Sequence, residues 1–183
     1  HGHPADYQDD KRWIAIIQAS ASETYQTEVV QILLKHGANP NLKTNDGNTA
    51  LHMAASNGHI RVCQELLKTK VDVDCQNKTK LTPLIMTTIG GHTNVVQYLL
   101  EKGANRHVTV QSGYNALHFT VFKSRPKMAQ YLIDKGSDVD VCNFEGKTAL
   151  IHAAMNNQID ILKVLLKNNA NRMVKDNYGK NSY

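Results

Sequence analysis

The sequence predicts an all-α repeat solenoid, a stack of short helix-turn-helix units, and three observations carry that reading. Leucine recurs every 33 residues in two separate series, at Leu51, Leu84, Leu117 and Leu150 and at Leu33, Leu66, Leu99, Leu132 and Leu165. A turn position keeps the same step through Gly47, Lys80, Gly113, Gly146 and Gly179, and the register holds from about residue 27 to the end. A fixed period of this length marks a stack in which each unit buries its apolar face only against its neighbours. Finally, each unit holds two apolar helical faces too short to be stable alone, so stacking must supply the missing core.

The elements follow in order. Residues 1–11 read as an N-terminal extension whose "HGHP" resembles an expression scar, and 12–183 as the repeat domain. The first unit, about 12–42, is divergent. Its "WIAIIQASASETYQTEVV" has the right apolar face but one or two extra residues around 20–26, as a unit capping a stack often does. Units at about 43–75, 76–108, 109–141 and 142–174 are complete, and a partial one opens at 175–183.

Within a unit, "TALHMAASNG" sets Leu51, Ala54 and Ala55 at i, i+3 and i+4, one face of a first helix. After a turn, "VCQELL", "VVQYLL" and "ILKVLL" form a second helix with apolar positions four apart. Gly37, Gly103 and Gly136 stop that helix in the left-handed conformation, and Asn169 substitutes for them. Lys70 departs from this pattern, and mild strain is expected there. Pro126 aligns with Thr93 at the start of a second helix, where its missing N–H costs nothing. Thr87-Thr88 and Thr120-Val121 replace the Ala-Ala pair and predict compensation by their neighbours.

The 33-residue period, "TALHMAA", "TPLI" and "LLKHGANPN" together resemble ankyrin repeats over roughly residues 12–183. The resemblance implies antiparallel helix pairs joined by β-hairpin-like fingers, with a partner bound on the concave side by finger tips and the ends of first helices. It also implies that His52 and His118 tie successive units together through backbone hydrogen bonds, and that Asn41 occupies the slot used by an asparaginyl hydroxylase, eight residues after Leu33. The equivalent slots hold Asp74, His107, Asp140 and Met173, so only this copy keeps the asparagine.

Other chemistry finds little support. Cys63, Cys75 and Cys142 are too few and too irregular for a disulfide framework or a zinc site, and Cys63 falls in an apolar stripe. An intracellular compartment is expected. No apolar run reaches the ~20 residues of a membrane span. His59 and His92 lie in inter-helix turns, and His1 and His3 could bind copper or nickel only through a free terminus. No nucleophile-base pair, paired carboxylates or phosphate loop has workable spacing, so neither an enzyme nor a cofactor nor a metal site is expected.

Binding residues follow from the period. The concave ends of the first helices map to Ser56, Ile89, Phe122 and Met155, and the fingers offer Leu81, Tyr114, Phe144 and Tyr178. Seven of these are apolar or aromatic, and a contiguous exposed patch of that kind marks a partner site. Lys123, Arg125 and Lys147 border it, with Lys78, Lys80 and Lys180. Formal charge concentrates nearby. Residues 101–183 carry twelve Lys/Arg against seven Asp/Glu, whereas 1–100 carry nine of each.

The expected function is non-catalytic recognition of a protein segment with apolar anchors and acidic flanks, by a chain monomeric on its own. Two alternatives remain: an anionic ligand such as an oligonucleotide, stacked on Tyr114, Phe122 or Phe144, and the regulatory domain of a larger enzyme or channel. The incomplete last unit leads us to expect that the chain is a piece of a longer protein.

Overall fold

The structure is a computed structural model that describes residues 15–22 and 26–180. His1, His3, the 1–11 extension and part of the extra segment around 20–26 lie outside the described residues. Among those described there are ten α-helices and no strand, an all-α repeat stack. No helix among them is long and apolar enough to cross a membrane. The chain divides into two compact units, His1–Ala104 and Asn105–Tyr183.

The first unit holds α1 (Ala15–Ala21), α2 (Gln26–Lys35), α3 (Ala50–Ser56), α4 (Ile60–Leu66), α5 (Pro83–Gly90) and α6 (Thr93–Glu101). First helices α1, α3 and α5 pack in one row, and second helices α2, α4 and α6 in another. Ala54 and Ala55 are fully buried, which lets the first row approach closely, and Leu51, Leu66, Leu84 and Leu99 fill the space between rows. Cys63 is a free thiol inside this core, and burial pushes its pKa up to about 12, so it packs rather than reacts.

The second unit holds α7 (Ala116–Phe122), α8 (Pro126–Asp134), α9 (Ala149–Met155) and α10 (Ile159–Lys167). Leu117, Val121, Ala129, Leu150, Ala153, Ile161 and Leu165 are its core. Pro126 opens α8 at the position where a missing N–H is harmless. The threonines that replace alanine are accommodated by hydrogen bonds from their hydroxyls, Thr87 to the His92 carbonyl in the inter-helix turn at 3.4 Å and the other two to their own helices. Thr88 Oγ1 donates to the Leu84 carbonyl at 2.8 Å, and Thr120 Oγ1 to the Leu117 carbonyl at 2.6 Å.

The connecting fingers are closed turns. In each, the first residue donates to the carbonyl four positions on: Thr44 to Asn48, Asn77 to Leu81, Val110 to Tyr114, Asn143 to Lys147 and Asp176 to Lys180. Within a unit, neighbouring fingers share a backbone bond, Lys78 N–H to the Asp46 carbonyl at 2.9 Å and Asn177 N–H to the Glu145 carbonyl at 2.9 Å.

One expectation needs correcting. Lys70 does not adopt the left-handed conformation, because α4 ends early, at Leu66, and Thr69 Oγ1 caps the Leu66 carbonyl at 2.6 Å. The strain sits instead at Lys80, which holds φ +64 in the finger slot that glycine fills elsewhere.

Candidate functional site

The second unit gathers most of the candidate residues, and their placement starts from the N-cap of α7. Asn115 precedes the helix in extended conformation, and its side chain accepts from His118 N–H at 3.2 Å. His118 is 1% exposed, and its Nε2 donates to the Lys147 carbonyl in the next finger at 3.2 Å. The first unit repeats this staple with His52, whose Nε2 donates to the Leu81 carbonyl at 3.1 Å while Nδ1 accepts the Thr49 N–H at 3.2 Å. Burial lowers both imidazole pKa values. For His118 it brings the value to about 4, against the opposing pull of the Lys147 carbonyl. Both rings are structural ties and stay neutral near pH 7. In the turns, His92 Nε2 meets the Ser56 carbonyl at 2.9 Å, and a side chain at Gly58 would collide with its ring.

Phe122 closes α7. It is 38% exposed, and edge-to-face contacts hold one side of the ring. Its ring centroid lies 5.0 Å from that of Tyr114, 5.8 Å from Phe119 and 5.1 Å from His152. Tyr114 itself folds down onto the helices, also meeting His118 and His152 at 5.4 Å each. Only the outer side of Phe122 faces solvent, on a rigid aromatic base. His152 is 7% exposed, its Nε2 has no hydrogen-bond partner, and burial lowers its pKa with help from the nearby Lys147 charge. Phe119 and His152 were not singled out by sequence, although the 33-residue step from one lands on the other.

The finger aromatics behave differently. Phe144 is 71% exposed and leans on the preceding finger, where a Cβ on Gly113 would come within 2.8 Å of its ring. Tyr178 is 74% exposed, with Lys147 Nζ 5.9 Å from its ring centre. Lys147 also bonds Glu145 at 2.7 Å, and that hydrogen bond raises the ammonium pKa. Met155 ends α9 and is 63% exposed. Lys123 is exposed at the α7–α8 turn and Arg125 half-buried, with Ser124 between them at φ +50.

In the first unit, Leu81 and Ile89 are both half-buried. Leu81 is held at both backbone atoms, its N–H on Asn77 Oδ1 at 3.0 Å and its carbonyl on His52. Ile89 lies in the last turn of α5. Asn41 is exposed, and its side-chain amide donates to the Lys70 carbonyl at 3.2 Å. No group of three or more His, Cys, Asp or Glu side chains suited to a metal ion occurs among the described residues.

A cavity of about 670 Å³, not foreseen from the sequence, opens between α9 and the 176–180 finger, lined by Ile151, Met155, Tyr178, Lys147 and Lys180 among others. Ile151, like Ile85, stands in the slot that His52 and His118 fill in other repeats.

Comparison with known proteins gives a consistent result. The family model described as ankyrin repeats (3 copies) matches residues 1–77, 63–142 and 127–182. Among solved structures, the ankyrin repeat domain of Bcl-3, described as a unique member of the IkappaB protein family, superposes with a TM-score of 0.90 at 24% identity. The alignment covers 97% of this chain and 79% of that one. At this identity the likeness speaks for the fold. Among curated proteins none matches.

Proposed function

This chain belongs to the ankyrin-repeat family, and from that premise we propose that it is a non-catalytic recognition module binding a partner protein segment through the face that carries Phe122 and Met155. The observation that carries the reading is the exposure of four large apolar side chains in one unit: Phe122 at 38%, Phe144 at 71%, Met155 at 63% and Tyr178 at 74%. Single exposed hydrophobes are ordinary, but a group of them on the fingers and the ends of first helices favours a partner site. Tyr114, Phe119 and His152 brace Phe122 in place, so binding would order few side chains. Lys123 and Arg125 supply positive charge at the α7–α8 turn. By the 33-residue step, Ile89 holds the slot of Phe122 and Leu81 that of Tyr114, which extends the reading to the first unit.

The experiment is a comparison of wild type with Phe122→Ala against a partner recovered on the wild-type chain. A half-exposed aromatic anchor at the centre of an interface is worth about 2 kcal/mol, so affinity should fall about 10-fold or more. Lys123→Glu and Arg125→Glu should slow association, and the effect should fade with salt. A partner bound equally well by wild type and Phe122→Ala removes this face from the site.

A further inference from the structure

We propose that the groove between the α7–α8 and α9–α10 turns takes the guanidinium of an arginine presented by a partner protein, a contact beyond the recognition face described above. The first unit shows what this position holds when the chain fills it. There Gly58, at φ +76, makes room for the His92 ring, and a Cβ at Gly58 would collide with that ring. His92 Nε2 meets the Ser56 carbonyl at 2.9 Å, so a planar group with an N–H fills the gap between consecutive turns. Two repeats on, each of these residues differs. Ser124 stands for Gly58, at φ +50, and its Cβ takes the space of the ring; Gln158 stands for His92. Gln158 Oε1 is buried and meets no donor among the described residues. Phe122 stands for Ser56. Four residues beyond it, where a helix would return an N–H to its carbonyl, stands Pro126, which has none. The Arg125 N–H goes instead to the Thr120 carbonyl at 2.8 Å.

The groove has a volume of about 450 Å³ and lies between two successive repeats, with Ser124 and Pro126 on one side and residues 156–161 on the other. The residues at these positions open it, since the same gap is filled in the first unit. Its chemistry selects a guanidinium. That group is planar, like the imidazole it replaces, and carries five N–H donors for carbonyl and carboxylate oxygens. Asp160, in the first turn of α10, lines the groove, is exposed and forms no ion pair among the described residues. Pro126, Ile159 and Ile161 give an apolar wall for the methylene stem of an arginine. Lys123 and Lys127 on the facing turn, and Lys163 one turn along α10, are exposed and oppose a diffuse positive charge. Directed N–H bonds must therefore hold the group, and lysine is a poor substitute. Acidic residues beside the arginine would meet those lysines.

The test titrates the isotope-labelled chain with three synthetic peptides and follows its amide NMR signals. Each peptide has one central residue flanked by Glu, and that residue is Arg, Lys or the uncharged urea analogue citrulline. The Arg peptide should saturably shift Ser124, Gln158 and Asp160 and bind about 10-fold more tightly than either control. Asp160→Asn should weaken it about 3-fold, as expected for an exposed charge pair. The double variant Ser124→Gly with Gln158→His rebuilds the arrangement of the first unit; it should melt no lower than wild type and lose the Arg peptide. Phe122→Ala keeps its backbone carbonyl and should bind the Arg peptide as wild type does, so this site and the recognition face fail separately. Equal binding by the Lys or citrulline peptide overturns the proposal, and so does full binding by the folded double variant or by Asp160→Asn. Shifts of the same amides by inorganic phosphate alone assign the groove to an anion. Shifts that grow with protein concentration and need no peptide assign it to a second copy, and each of these last two results also overturns the proposal.

Discussion

Replacing His118 by leucine removes a buried staple while keeping an apolar side chain in its place. Two contacts are lost: Nε2–H to the Lys147 carbonyl at 3.2 Å, and the approach of Nδ1 to the Asn115 cap, whose N–H lies 3.4 Å away. The Lys147 carbonyl keeps the Asn143 N–H at 2.9 Å and is not orphaned, so the first loss is that of an ordinary hydrogen bond, about 1 kcal/mol. The disturbed cap adds about 1 kcal/mol. At pH 7.5 the variant should therefore be about 2 kcal/mol less stable than wild type. Acid changes the order. The unfolded imidazole takes up a proton near pH 6.5 and the folded one only near 4, because burial disfavours the charge. A pKa depressed on folding gives stability that is full above about 6.5 and is lost as pH falls to about 4, amounting to about 3 kcal/mol. Leucine carries no such dependence. Urea melts followed by far-UV circular dichroism, run on both proteins in steps from pH 7.5 to 4, should show the gap closing and then reversing. A gap that stays constant, or a His118 ring that titrates near 6.5 by NMR, refutes the reasoning.

Phe122→Ala should lower stability by about 1–2 kcal/mol through its lost edge-to-face partners, less than the ~2–5 kcal/mol of Leu117→Ala; an equal fall in melting temperature would make Phe122 a core residue. Lys80→Gly should raise stability by about 1 kcal/mol, the left-handed penalty less the backbone entropy of glycine, and a lower melting temperature would contradict it. Helix α10 leaves Ile159 at 55% and Leu166 at 44% exposed, so its amides should exchange faster than those of α6; equal protection in 159–167 and 93–101 would sink this. Incubation with an asparaginyl hydroxylase should add one oxygen to Asn41, and mass spectrometry finding that residue unchanged would reject the modification.

The repeat architecture was legible in the sequence because its cause is local and periodic. Leu51, Leu84, Leu117 and Leu150 must each face a neighbouring unit, and a 33-residue step repeats that demand along the chain. The left-handed Asn169 and the proline at the head of α8 were legible for the same reason, since φ preferences act within a few residues. What the period could not carry is how the finger aromatics settle. Tyr114, Phe144 and Tyr178 lie in three successive fingers, at a different place in each, and Tyr114 turns down into an aromatic cluster while the other two stay in solvent. The choice depends on Phe119, Phe122 and His152 being large enough to receive a ring, a matter of packing between helices that are distant in sequence. Short-range conformational preference and the spacing of apolar residues decide the stack, and the shape and charge of the surface are decided where separate segments meet.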